Sequence, residues 1–84
     1  MEVAIVTPTG EVFSGPAESV VGPGTAGEFG ILPGHTPFLS TLREGTVVVR
    51  QGRDEERFAI TGGFAEVHGD RVVILADGVA EAAQ

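Results

Sequence analysis

Apolar positions fall in short clusters broken by glycine and proline, and no window carries a sustained apolar stripe at the helical period. The clusters are rich in Val, Ile, Thr and Phe, the residues that suit a pleated, half-buried surface. This pattern predicts strands near Val3–Thr7, Glu11–Ser14, Ala17–Gly22, Glu28–Ile31, Phe38–Leu42, Thr46–Gln51, Arg57–Thr61, Phe64–His68 and Arg71–Ala76. The connections Pro8-Thr9-Gly10, Gly52-Arg53-Asp54 and Gly69-Asp70 carry turn chemistry, Asp54-Glu55-Glu56 reads as a solvated hairpin tip, and Gly62-Gly63 reads as a hairpin or bulge. Alternation places Phe58 and Ile60 on one face of their strand, opposite Arg57, Ala59 and Thr61. Val72–Leu75 is apolar on both faces, so it is either a central strand or one whose outer face covers a partner. The helix-favouring stretch Val79–Gln84 is too short to be stable alone. The expected fold is all-β: one domain over residues 1–84, a two-sheet sandwich or flattened barrel of about ten short strands.

Composition narrows the chemistry. The chain has 84 residues, 42% of them hydrophobic, which sets it apart from a charge-driven disordered tail. It contains no cysteine and no lysine, which removes disulfides, thiolate metal sites, Schiff-base chemistry and a phosphate-gripping lysine. Five arginines against 12 acidic residues give a net charge of −7. Nucleic acid and anionic membrane surfaces would repel such a body, so neither is an expected partner. No apolar run approaches the ~20 residues of a spanning helix, and the N-terminus lacks a cationic leader start, so a cytosolic setting is expected.

Candidate sites are few. Gly22 and Gly27 have the spacing of a phosphate loop, but Glu28 stands where that motif needs lysine and no helix follows. Glu66, His68 and Asp70 alternate and could share a strand face as metal ligands; the plainer reading is an exposed strand end. Ser14, Ser19 and Ser40 lack a nucleophile-elbow context. No catalytic constellation, cofactor site or metal site is expected. The segment Glu28–Pro37 gathers Phe29, Ile31 and Leu32 beside Phe38 among two prolines and two glycines, a rigid edge loop. Spacing alone leaves open whether these apolar groups are hidden or form a contact patch.

Gly27-Glu28-Phe29-Gly30-Ile31-Leu32-Pro33-Gly34-His35-Thr36-Pro37 resembles the signature segment of the epsilon subunit of bacterial F-type ATP synthases. Phe13-Ser14-Gly15, Leu42-Arg43-Glu44-Gly45, Phe58 to Val67 and Val72 to Asp77 extend the likeness in the same order. The resemblance implies a sandwich of two five-stranded sheets acting as a non-catalytic subunit of the central stalk. Such a subunit bridges the gamma subunit and the c-ring and couples proton or other ion flow to ATP synthesis. It also implies a peripheral position at the cytoplasmic face of the bacterial inner membrane, with no direct insertion into lipid. Carried over by position, Glu28, Phe29, Gly30, Ile31 and Leu32 would face the c-ring, while His35 and Thr36 would face gamma. Family members usually continue into a helical hairpin that regulates hydrolysis and in some members binds ATP; the seven residues after Asp77 are too few for it, so a short form is expected. The alternative is a small sandwich or jelly-roll ligand-binding module or enzyme, in which Glu66, His68 and Asp70 would converge in a pocket.

Overall fold

A computed structural model describes residues 1–34 and 36–79. They form nine strands: β1 (Glu2–Thr7), β2 (Gly10–Pro16), β3 (Ser19–Gly24), β4 (Gly27–Ile31), β5 (Phe38–Leu42), β6 (Gly45–Gln51), β7 (Asp54–Ile60), β8 (Gly63–His68) and β9 (Arg71–Ala76). No helix occurs among the described residues. The expected helix-favouring stretch lies outside them except for Val79, which makes an isolated bridge to Ile60. His35, expected to face gamma, also lies outside the described residues.

Hydrogen bonding runs in the order β2-β1-β9-β8-β5-β3-β6-β7, with β4 on the free side of β3. The link between β5 and β3 is a single pairing, Gly24 with Leu42, which divides the path into the two layers β2-β1-β9-β8-β5 and β4-β3-β6-β7. All pairs are antiparallel except β1 with β9. Polar bonds hold the corner where the sheet curls: Thr25 N donates to Thr41 O, Arg43 N donates to Pro23 O, and the Thr25 and Thr41 hydroxyls meet at 2.6 Å.

The core lies between the layers. Val3, Ile5, Val72 and Ile74 come from the parallel pair, and Val20, Ile31, Val47 and Ile60 from the opposite layer; all are fully buried. Each such side chain contributes about 1.5–3 kcal/mol relative to exposure. The two open sides of the sandwich are plugged by aromatic pairs. Phe13 of β2 meets Phe58 of β7 with ring centroids 5.6 Å apart, and Phe29 of β4 meets Phe38 of β5 at 5.1 Å. Both pairs are tilted, a favoured arrangement of ring quadrupoles.

Three local expectations change. First, β3 runs on through Pro23 and Gly24, which pair with Glu28 and Gly27 of β4, and the Phe29 ring packs against this stretch: a Cβ on Gly22 would come within 2.7 Å of it. Gly22 and Gly24 admit the ring, and the segment from Gly22 to Gly27 is a β-hairpin, in keeping with the rejection of a phosphate loop. Second, Glu55 and Glu56 belong to strand β7 rather than to a tip, since the loop between Gln51 and Asp54 is only Gly52-Arg53, with Gly52 at φ +62°. Third, Gly62-Gly63 is neither hairpin nor bulge. It carries the chain across the corner from β7 in one layer to β8 in the other.

Candidate functional site

The outer face of the five-stranded layer carries large exposed apolar side chains. Register aligns Thr41, Phe64, Leu75 and Val6 in one row across β5, β8, β9 and β1. The next row is Leu39, Glu66, Val73 and Ala4, and His68, Arg71 and Glu2 follow. Leu39 is 71% exposed, Phe64 49% and Leu75 48%, so large apolar side chains cluster in water on one flat face. Strand β9 buries Val72 and Ile74 and offers Val73 and Leu75 outward, which resolves its two-sided apolar pattern. Phe64 and Leu39 join this face. Their signal was the same: Phe38-Leu39 is a pair of neighbouring large apolar residues, of which a strand with one buried face can hide only one.

The signature segment divides by the pleat. Ile31, 1% exposed, is a core residue, and Phe29 turns inward onto Gly22, Gly24 and Phe38. Glu28 and Gly30 lie on the opposite face of the edge strand β4 and are exposed, as is Leu32 just beyond it, at 63%. Thr36 is also exposed. The apolar loop is thus part core and part surface. Its surface-available groups are Glu28, Gly30 and Leu32.

On the outer face of the other layer, Arg50 donates to Glu55 at 2.8 Å, and Arg57 pairs with the second oxygen of the same carboxylate. The hydrogen bond from Arg50, with the charges of Arg57 and Arg50, holds the Glu55 carboxyl below its usual range against some desolvation. The small stabilisation this brings is present at neutral pH and is lost as pH falls through the lowered value. The charges also guard β7, an edge strand, against pairing with another chain. Glu66 and His68 lie on the outer face of β8 and Asp70 in the following turn, and no three metal-ligating side chains converge among the described residues. An open depression of about 330 Å³, lined by Thr7, Pro8, Thr9, Val12, Asp77, Gly78 and Val79, holds one carboxylate and neither a cation nor a histidine. No described helix is long and apolar enough to cross a membrane.

Comparison with known proteins agrees with the architecture. Residues 1–82 match the family model described as ATP synthase, Delta/Epsilon chain, beta-sandwich domain. The ATP synthase epsilon chain of Caulobacter vibrioides is 45% identical over 83 residues, covering 99% of this chain and 96% of that one. That of Helicobacter pylori (strain P12) is 45% identical over 78 residues, covering 93% of this chain, which spans only 63% of the Helicobacter protein. Two solved structures share the fold. One is a chain of the Tetrahymena thermophila mitochondrial ATP synthase central stalk/c-ring, at TM-score 0.81 and 20% identity over 96% of this chain and 66% of that one. The other is a chain of the Euglena gracilis mitochondrial ATP synthase, at TM-score 0.86 and 23% identity over 93% of this chain and 51% of that one. With the family model matched over nearly its whole length and a near-full-length relative at this identity, the chain belongs to the ATP synthase delta/epsilon family, whose β-sandwich domain it forms.

Proposed function

We propose that this chain is a non-catalytic rotor subunit of an ATP synthase central stalk, docked on the gamma subunit through the outer face of β5, β8 and β9 and on the c-ring through the end of β4. The observation that carries the reading is the exposed set Leu39, Phe64 and Leu75 on one flat face of a chain of this family. An apolar patch of this kind marks a surface that is covered in the working complex. Its position is peripheral to the membrane sector, at the cytoplasmic face in a bacterium. Ion flow through the ring would turn this subunit with gamma, and its rigid, aromatic-plugged sandwich would carry torque without chemistry of its own. The test is co-expression with the cognate gamma subunit: a stable gamma–epsilon pair is expected. A chain that ignores gamma and instead binds a sugar or a metal would overturn the reading.

Toward the ring, Glu28 and Leu32 divide the work. Glu28 projects from an edge strand into solvent, and a rim ion pair to a ring cation is worth about 0.2–1 kcal/mol. Leu32, exposed just beyond the end of β4, would supply apolar contact. Glu28→Gln is therefore expected to weaken ring attachment mildly, and Glu28→Lys to weaken it further by adding repulsion. Both variants should fold like the parent, because an exposed strand-edge charge contributes little to stability. Ring-bound epsilon and proton pumping in reconstituted enzyme measure the difference. Parent-like coupling by Glu28→Lys at low salt would turn this edge away from the ring.

A further inference from the structure

Resting on the reading of the β5-β8-β9 face as the gamma-docking surface, we infer that the docked partner must present a cationic side chain, best an arginine, to Glu66. Glu66 stands where the apolar patch meets the polar row of His68, Arg71 and Glu2, with apolar neighbours on three sides. Leu39 and Val73 flank it across the strands, and Phe64 and His68 flank it along β8. Directly paired neighbours of this kind have Cβ atoms about 4.5–5.5 Å apart. A flat partner surface that covers Leu39, Phe64 and Val73 therefore covers the Glu66 carboxylate as well.

Among the described residues no ion pair reaches Glu66: the three present involve Asp70 and Glu55. Arg71, the cation on the same face, lies in the next row, diagonal to Glu66 across the β8–β9 pair, and makes no ion pair with it. In the free subunit water solvates Glu66, which is exposed. On docking that water is displaced, and a desolvated carboxylate without a partner is strongly unfavourable. A planar guanidinium satisfies both carboxylate oxygens and is less strongly hydrated than an ammonium, so it suits a site walled by Leu39 and Val73. The face thus combines apolar anchors with a charge set directly against them. The charge selects register and partner, because an acidic or purely apolar surface placed there is penalised.

The experiment titrates the full chain with its purified gamma subunit at several salt concentrations, comparing parent, Glu66→Gln, Glu66→Lys and Phe64→Ser. All positions are exposed, and urea midpoints check that each variant remains folded. Glu66→Gln is expected to bind at least ~30-fold more weakly and to lose part of the salt dependence, and Glu66→Lys more weakly still. Phe64→Ser should lose affinity with the salt dependence unchanged. If Phe64→Ser weakens binding while Glu66→Gln binds as well as the parent or better, Glu66 docks uncharged or hydrated, and the cation inference fails with the docking face intact. A weakened Glu66→Gln whose salt dependence matches the parent overturns it too. If Phe64→Ser binds normally, the docking face itself is wrong and the inference falls with it.

Discussion

Gly63→Ala is expected to remove about 3–5 kcal/mol of stability. Gly63 has φ +142°, a region L side chains rarely adopt, and it lies where the chain crosses from β7 to β8. A Cβ there would sit 2.0 Å from the carbonyl oxygen of Leu75 and 3.0 Å from the Ala76 Cα. Both obstacles are backbone of β9, paired with β8 and, at Leu75, also with Val6 of β1, so neither can yield without opening a central ladder. The cost combines backbone strain with lost hydrogen bonds. A domain of this size holds only about 4–13 kcal/mol in total. The melting temperature should fall by roughly 15–40 °C, or cooperative unfolding should vanish. Gly69→Ala is the matched control: its φ is +62°, but nothing lies within 4 Å of the added methyl, so its penalty should stay near ~1 kcal/mol. Thermal unfolding followed by circular dichroism separates the two. A Gly63→Ala melt within a few degrees of the parent would contradict the crossing described here.

The double variant Leu39→Asp/Leu75→Asp should leave the fold intact and abolish assembly. Both side chains are about half exposed or more and stand outside the core cluster, so the urea midpoint is expected to move little. On the docking face the change is severe. Two apolar anchors are removed, each worth up to ~2 kcal/mol if it fills a pocket in the partner. Two carboxylates then need desolvation beside Glu66, the residue directly opposite Leu39. Affinity for gamma is expected to fall at least ~1000-fold, and reconstituted enzyme carrying the variant to lose proton-coupled ATP synthesis. Gamma binding by titration, read beside the urea midpoint, distinguishes lost docking from lost folding. Undiminished affinity would move the gamma contact to another face.

The two substitutions bear on separate layers of information. Strand positions were legible because period-two alternation and glycine–proline punctuation are local properties: Phe38–Leu42 and Arg71–Ala76 have the bounds the pattern predicts. The absence of a lysine and the placing of Glu28 were equally local, and they already argued against a phosphate loop. Glycine roles were not legible. Gly22 and Gly63 are the same residue in the sequence, yet one makes room for the Phe29 ring and the other for the Leu75 carbonyl.

Nor could periodicity divide the signature segment. The alternation of Phe29 and Ile31 against Glu28 and Gly30 gives two faces, but which face meets the core depends on β4 pairing with β3 rather than with a partner chain. The exposed face was half visible, as a strand apolar on both sides. That Leu39, Phe64, Val73 and Leu75 form one patch around Glu66 was decided only by register between strands distant in the chain. The sequence by itself determined an acidic all-β domain, its strands and turns, and its family signature, because propensity, charge and motif are carried by neighbouring residues. Only the tertiary structure decided which apolar residues are core and which are contact surface, because burial is a property of the space between two layers, and strand pairing, not chain order, sets what fills it.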